Sequence, residues 1–283
     1  MAGLSREHIE RAVPLGSSSY YIIRFSPTPC RSDLTHLFAW RRELTNIPLE
    51  CSDPGVARTR LQWWREEMKR SANGNAQHPV AIALSETIKT HRLPELLLQK
   101  IADNIESDIE KASMAEWDDL HLYCLSHGGN FAELLAHTTG CNETFKTTIR
   151  QIGAYVTLVS LLRNLGADLR RGYCLLPGSL LQQHRLRPEQ LLQSKSRARF
   201  QEMLQSLSDT ATRWRVESLE SLPTQPPTGL RPVLNQLALA QRLHAVLETD
   251  GFNVVDGHTH LTPLQKLWTV WRAGTGKRLK VKG

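Results

Sequence analysis

The sequence predicts an all-α protein. Apolar residues recur at three- and four-residue steps over long stretches, as at Tyr155, Leu158, Val159, Leu162, Leu165 and Leu169. That stripe belongs to a helix with one face in a core. Strand-like alternation is sparse, and 40% of the 283 residues are hydrophobic, enough for a sizeable core.

In chain order, Ser5 caps a short helix over 5–15, and the run GSSSYY follows at 16–21. Its hydroxyls suit a helix cap first and a phosphate contact second. Pro27 and Pro29 break the chain. Asp33 caps a strong helix over 33–44, and Pro48 is expected to stop it. Trp63 and Trp64 sit on the next helix as core or groove wall. Residues 71–77 form a polar turn, and His78 opens a helix to 88 as a cap or core histidine. Another helix covers 93–107 and ends near Asp108. Segments 117–125 and 131–138 are helical around Gly128-Gly129, where a neighbour can approach closely. The central helix spans 147–167, with Thr157, Ser160, Asn164 and Asp168 stacked along one side. Buried polar groups need partners, so this row faces a cavity or another helix. A short helix starts at 188–192, long ones cover 197–222 and 234–249, and a proline-rich loop fills 223–232. Residues 276–283 are a basic tail, solvated or in weak contact with an anionic membrane.

The net charge of +7 suits anionic partners. No Lys/Arg block with interleaved aromatics occurs, which argues against nucleic acid. Five dispersed cysteines without a CxxC fit reduced thiols in a cytoplasmic compartment. His258 and His260 have no carboxylate or cysteine at zinc-ligand spacing. No apolar run reads as a signal peptide or a membrane span, so the expected protein is cytoplasmic and at most peripheral to a membrane.

Three stretches carry a resemblance. They are Arg163, Asn164, Gly166, Asp168, Arg170, Arg171, Gly172, Leu176 and Pro177; the run 51–68 with Arg58, Leu61, Trp63, Trp64 and Arg65; and GSSSYY. Together they resemble the squalene/phytoene synthase family, in particular its bacterial presqualene diphosphate synthase-like branch, in order from about 16 to 273. The resemblance implies one isoprenoid-synthase-type domain, 1–283, with helices around a central cavity. It also implies prenyl diphosphate substrates held through Mg²⁺ by two aspartate-rich motifs. Here the motifs are degenerate. Thr45, Asn46 and Leu49 stand at the first, and Asn164 replaces the leading aspartate of the second. Asp168 remains as a lone metal candidate. Ala167 and Leu175 also depart from the pattern.

The resemblance therefore implies a prenyl diphosphate- or isoprenoid-binding module, or an assembly module with a protein partner, without catalysis and without a cofactor. The family includes a mitochondrial respiratory complex I assembly factor as a precedent. The alternative is an active Mg²⁺-dependent transferase that condenses two farnesyl diphosphates head to head in squalene or hopanoid synthesis, with Glu43, Glu50 and Asp168 as ligands. The expected anion contacts are Ser17, Ser18, Tyr20, Arg42, Arg163 and Arg171. The test is whether Glu43 or Glu50 points at Asp168.

Overall fold

The computed structural model describes residues 4–274 apart from 112, 142, 194, 196, 256 and 258. The basic tail and His258 lie outside them. Among the described residues there is no strand, only an isolated bridge between Met114 and Pro177. The helices are α1 Arg6–Ala12, α2 Ser18–Arg24, α3 Arg31–Glu50, α4 Pro54–Ala72, α5 Pro79–His91, α6 Glu95–Glu110 and α7 Trp117–Cys124. After them come α8 Asn130–Thr138, α9 Lys146–Arg170, α10 Gly178–Gln183, α11 Arg197–Glu220, α12 Arg231–Thr249 and α13 Pro263–Gly274.

The hub is α9, as the apolar stripe predicts. Ile152, Tyr155, Leu158, Val159 and Leu162 are buried against α8, α11 and α12. A buried polar relay fixes that packing. Tyr155 Oη lies 3.3 Å from His244 Nδ1, His244 Nε2 lies 2.7 Å from Ser208 Oγ, and Ser208 donates to Glu248 at 2.8 Å. One tautomer satisfies all three contacts, with Tyr155 donating to Nδ1 and Nε2–H donating to Ser208. Burial lowers the His244 pKa, in keeping with a neutral ring.

Between α7 and α8, Leu125–Gly129 makes one π-helical turn. Here Gly128 and Gly153 bring that turn and α9 into backbone contact. A Cβ on either glycine would overlap the other's carbonyl oxygen. The partner that the glycine pair admits is therefore α9.

Two local expectations change. Helix α3 begins at Arg31, so Asp33 is not its cap. The Asp33 carboxylate instead accepts from Thr87 Oγ1 at 3.1 Å and meets His91 Nε2 at 2.8 Å, tying α3 to α5. Pro48 does not stop the helix, which continues to Glu50. The proline deprives one carbonyl, that of Leu44, of its N–H donor, and Cys51 N–H still bonds Ile47 to close the last turn. The turn into α5 is shaped by a buried acid. Glu67 accepts from the N–H groups of Gln77 and His78 at 2.6 and 2.7 Å and pairs with Arg70 at 2.7 Å. His78 caps α5 and packs its ring 4.8 Å from that of buried Trp64, as a cap histidine would.

Candidate functional site

The positions singled out in the sequence lie on α3 and α9, at the start of α2, and just after α9. Their surroundings differ sharply. On α3, Arg42 and Leu49 are exposed. Thr45 Oγ1 donates to the Arg41 carbonyl at 3.0 Å, and Asn46 donates to Glu50 at 3.1 Å. Glu50 pairs with Arg60 of α4 at 2.7 Å, and Glu43 lies 3.7 Å from the same guanidinium. Both acids thus turn toward α4. The charged partners of Asp168 are Arg171 and Arg163 instead.

Arg41, next door to Arg42, enters the interior. Its guanidinium sits 4.1 Å from the centroid of the Phe131 ring on α8. Burial pushes its pKa down to about 10, so it stays cationic at neutral pH. The helical period explains the difference. Arg41 falls on the face of Leu34, Leu37, Phe38 and Thr45, whereas Arg42 is rotated about 100° away toward solvent. The face assignment was legible; the choice of arginine was not made from it.

Asp108, near the end of α6, meets Tyr123 and His127, the second of which also feels the charge of Arg41. Asp108 is not solvated. Tyr123 Oη donates to its carboxylate at 2.9 Å, and His127 Nε2 lies 3.5 Å away. The rings of Tyr123 and His127, one turn apart, stack at 4.0 Å. Burial pushes the Asp108 pKa up to about 7; the Tyr123 bond opposes this and the charge of Asp168 adds to it. His127 is pushed down to about 3 by burial and then by Arg41, so its ring is neutral. Sequence reading named Asp108 but passed over Tyr123 and His127, whose four-residue spacing was the available signal.

Helix α9 carries the other charges of this network, with Asp168 acting on both Asp108 and Arg163. Arg163 Nε donates to Asn164 Oδ1 at 3.0 Å. Burial lowers the pKa of Arg163 and the charge of Asp168 offsets this in part. Asp168 itself is raised by burial, against the pull of Arg171 and Arg163. Above it in the row, Ser160 donates to the Val156 carbonyl at 2.9 Å. The turn after α9 depends on Gly172 at φ 77°, a left-handed conformation that favours glycine. Arg171 is exposed there, and Arg170 donates to the Val255 carbonyl at 2.9 Å.

The GSSSYY segment approaches from the chain's other end. Lys266 of α13 donates to the Gly16 carbonyl at 3.0 Å, and its pKa is lowered by burial and by the charge of Arg163. Ser17 acts as the cap of α2, accepting from Tyr20 N–H at 3.1 Å and bonding Ser19 at 2.8 Å. Ser18 is half-buried, and Tyr20 packs edge-on to Tyr21. A small cavity below Asp168 is walled by leucines, among them Leu158, Leu162, Leu165 and Leu207. A groove of about 480 Å³ lies elsewhere, between α4, α5 and α6, and is lined by none of these positions.

The interior thus joins residues from α3, α6, α7, the π-turn and α9. They include half-buried guanidinium groups, a neutral histidine, a carboxyl poised near pH 7 and one further acid. Arranged this way, they can hold an anionic group by charge-assisted hydrogen bonds and can pass a proton at Asp108.

This architecture belongs to a known class. The family model for squalene/phytoene synthase matches residues 14–267, and the chain belongs to that family. It is 20% identical over 262 residues to phytoene synthase 2, chloroplastic, of Solanum lycopersicum, covering 90% of this chain and 84% of that one. It is 23% identical over 195 residues to complex I assembly factor 6 of Mus musculus, covering 68% of this chain and 59% of that one. In fold it is similar to a dehydrosqualene synthase solved in complex with a ligand, with TM-score 0.78, 15% identity, and 95% and 97% of the two chains covered. It is also similar to squalene synthase HpnC of Alicyclobacillus acidocaldarius, with TM-score 0.68, 19% identity, and 87% and 94% covered. Among the described residues no helix is long and apolar enough to cross a membrane.

Proposed function

We propose that this chain is a non-catalytic member of the family, a module that holds a prenyl diphosphate or related isoprenoid anion without metal. The observation that carries the reading is the exchange of charge at the two motif walls. On α3 the motif positions offer a hydroxyl, an amide and a leucine, and the nearby acids Glu43 and Glu50 are drawn off to Arg60. On α9 the oxygen of Asn164 already accepts from Arg163. Mg²⁺ prefers an octahedron of hard oxygens with one or more carboxylates, and Asp168, lying between two arginines, does not make such a set. Ionising an allylic diphosphate leaves several negative charges on the departing group. Arginines can bind that group, but a site short of metal charge loses tenfold in rate for each ~1.4 kcal/mol of stabilisation forgone. A guanidinium holds phosphate bidentately in the absence of metal, which suits Arg41 and Arg163.

One observation favours the second reading, an active head-to-head transferase. Asp108 is tuned to neutral pH beside Tyr123, as a working acid or base would be. One experiment separates the two. Protein is incubated with farnesyl diphosphate and Mg²⁺ and assayed for product, while binding is measured separately by calorimetry in EDTA. The proposal expects binding in EDTA, at least tenfold weaker in Arg163→Ala, and no product. Turnover, or an absence of binding, refutes it.

A further inference from the structure

Helix α13 packs on α2 and α12 through one face, where Val270 is buried. Its other side is apolar and uncovered. Leu264, Leu267, Trp268 and Trp271 are 77%, 40%, 57% and 48% exposed. Their positions i, i+3, i+4 and i+7 form one stripe about 100° wide. The two indoles stack at 5.1 Å, giving a flat aromatic surface. Leu15, 85% exposed, belongs to the loop whose Gly16 abuts Pro263 at the start of the helix, so it extends the apolar patch. Charge marks the occupant. Lys266 is turned inward to the Gly16 carbonyl, but from Pro263 onward the sequence also contains Arg272, Lys277, Arg278, Lys280 and Lys282 and no acidic residue.

We propose that the α13 face is a docking surface for an anionic lipid bilayer. The helix lies in the plane of the interface with its tryptophans and leucines among the acyl-chain ends, and the net positive charge of the stretch draws it to acidic headgroups. A tryptophan–leucine stripe flanked by Lys/Arg is the composition of an interfacial helix. Indoles favour that boundary because the ring is apolar and its N–H is polar. Acidic lipid attracts each nearby cation within a Debye length. A protein groove would accept the stripe but gives no reason for a 21-residue stretch without an acid.

The test is flotation of the full chain with vesicles of phosphatidylcholine alone or with about one-third phosphatidylglycerol. Partitioning is expected to rise at least tenfold with the acidic lipid and to fall with added salt. Trp268→Ser with Trp271→Ser is expected to lower it at least tenfold, since each 1.4 kcal/mol of lost apolar burial is a factor of ten. The melting temperature should fall by only a few degrees, because both side chains are about half exposed. Absence of binding to acidic vesicles overturns the proposal, as does equal binding by the double variant. A dimer that the double variant abolishes, without lipid binding, would assign the face to a second copy and likewise overturn it.

Discussion

Asp108→Asn should stabilise the protein at alkaline pH and remove a specific pH dependence. The carboxyl is only 19% exposed, and its pKa is raised from 3.8 to about 7. The sign follows from proton counts. Below pH 3.8 both folded and unfolded forms carry the proton. Between that value and about 7 the unfolded chain releases it and the folded chain keeps it, so stability falls as pH rises and levels off above about 7. The full shift corresponds to a ceiling of about 4 kcal/mol; relaxation and water entry reduce this, and we expect about 1–3 kcal/mol. Asparagine keeps an oxygen to accept from Tyr123 and cannot ionise. Urea denaturation from pH 4 to 8.5 should show the two proteins converging at the acid end and Asp108→Asn ahead at the alkaline end. Parallel curves, or a less stable asparagine variant at pH 8, would refute the burial of an ionisable carboxyl here.

Three further outcomes are expected. Gly128→Ala should cost about 2–3 kcal/mol by thermal or urea unfolding, because its methyl would meet the backbone of Gly153 and cannot be relieved by a rotamer. Glu67→Gln should cost about 2–3 kcal/mol at pH 7, since it weakens charge-assisted bonds from two backbone N–H groups and Arg70. The Glu67 pKa is lowered, so that stabilisation is present above the usual glutamate range and the gap should close as pH falls below about 4. Restoring Thr45→Asp, Asn46→Asp, Leu49→Asp and Asn164→Asp together should raise Mg²⁺ affinity by calorimetry from millimolar or weaker, without head-to-head product by product assay, because Ala167 and Leu175 also depart from the motif. Micromolar Mg²⁺ binding by the unaltered chain would show that its own donors suffice.

The sequence made the helices legible because their apolar periods are long. It also located α9 as the hub and Gly128–Gly129 as a close approach. It was less informative where one residue decides between neighbours. Arg41 and Arg42 are chemically identical, and only the rotation of α3 sends one over Phe131 and the other to solvent. Tyr123 and His127 show an ordinary four-residue spacing, but nothing in it reveals that Asp108 of α6 meets them. The π-turn alters the register between α7 and α8, so a uniform helical wheel across 117–138 misaligns the two halves. Glu43 and Glu50 lie one helix away from Arg60 in sequence, and no spacing rule connects them.

The electrostatics of the interior bear on what occupies it. A guanidinium withdrawn from water loses several kcal/mol of hydration unless a partner replaces it. For Arg41 the Phe131 ring offsets about 2 kcal/mol of that. Arg163 has the amide of Asn164 and the charge of Asp168, but that carboxyl is itself raised by burial and shared with Arg171. Asp108 is half-protonated at pH 7 and supplies at most part of a charge. The protein itself therefore compensates these cations only in part. A diphosphate entering between α3 and α9 would relieve this imbalance. It would also disfavour the ionised form of Asp108, so binding near pH 7 should take up a fraction of a proton. Calorimetry in buffers of different ionisation enthalpy would detect that uptake. Its loss in Asp108→Asn, with binding retained, would place the anion beside this carboxyl, whereas identical uptake in both proteins would place it elsewhere.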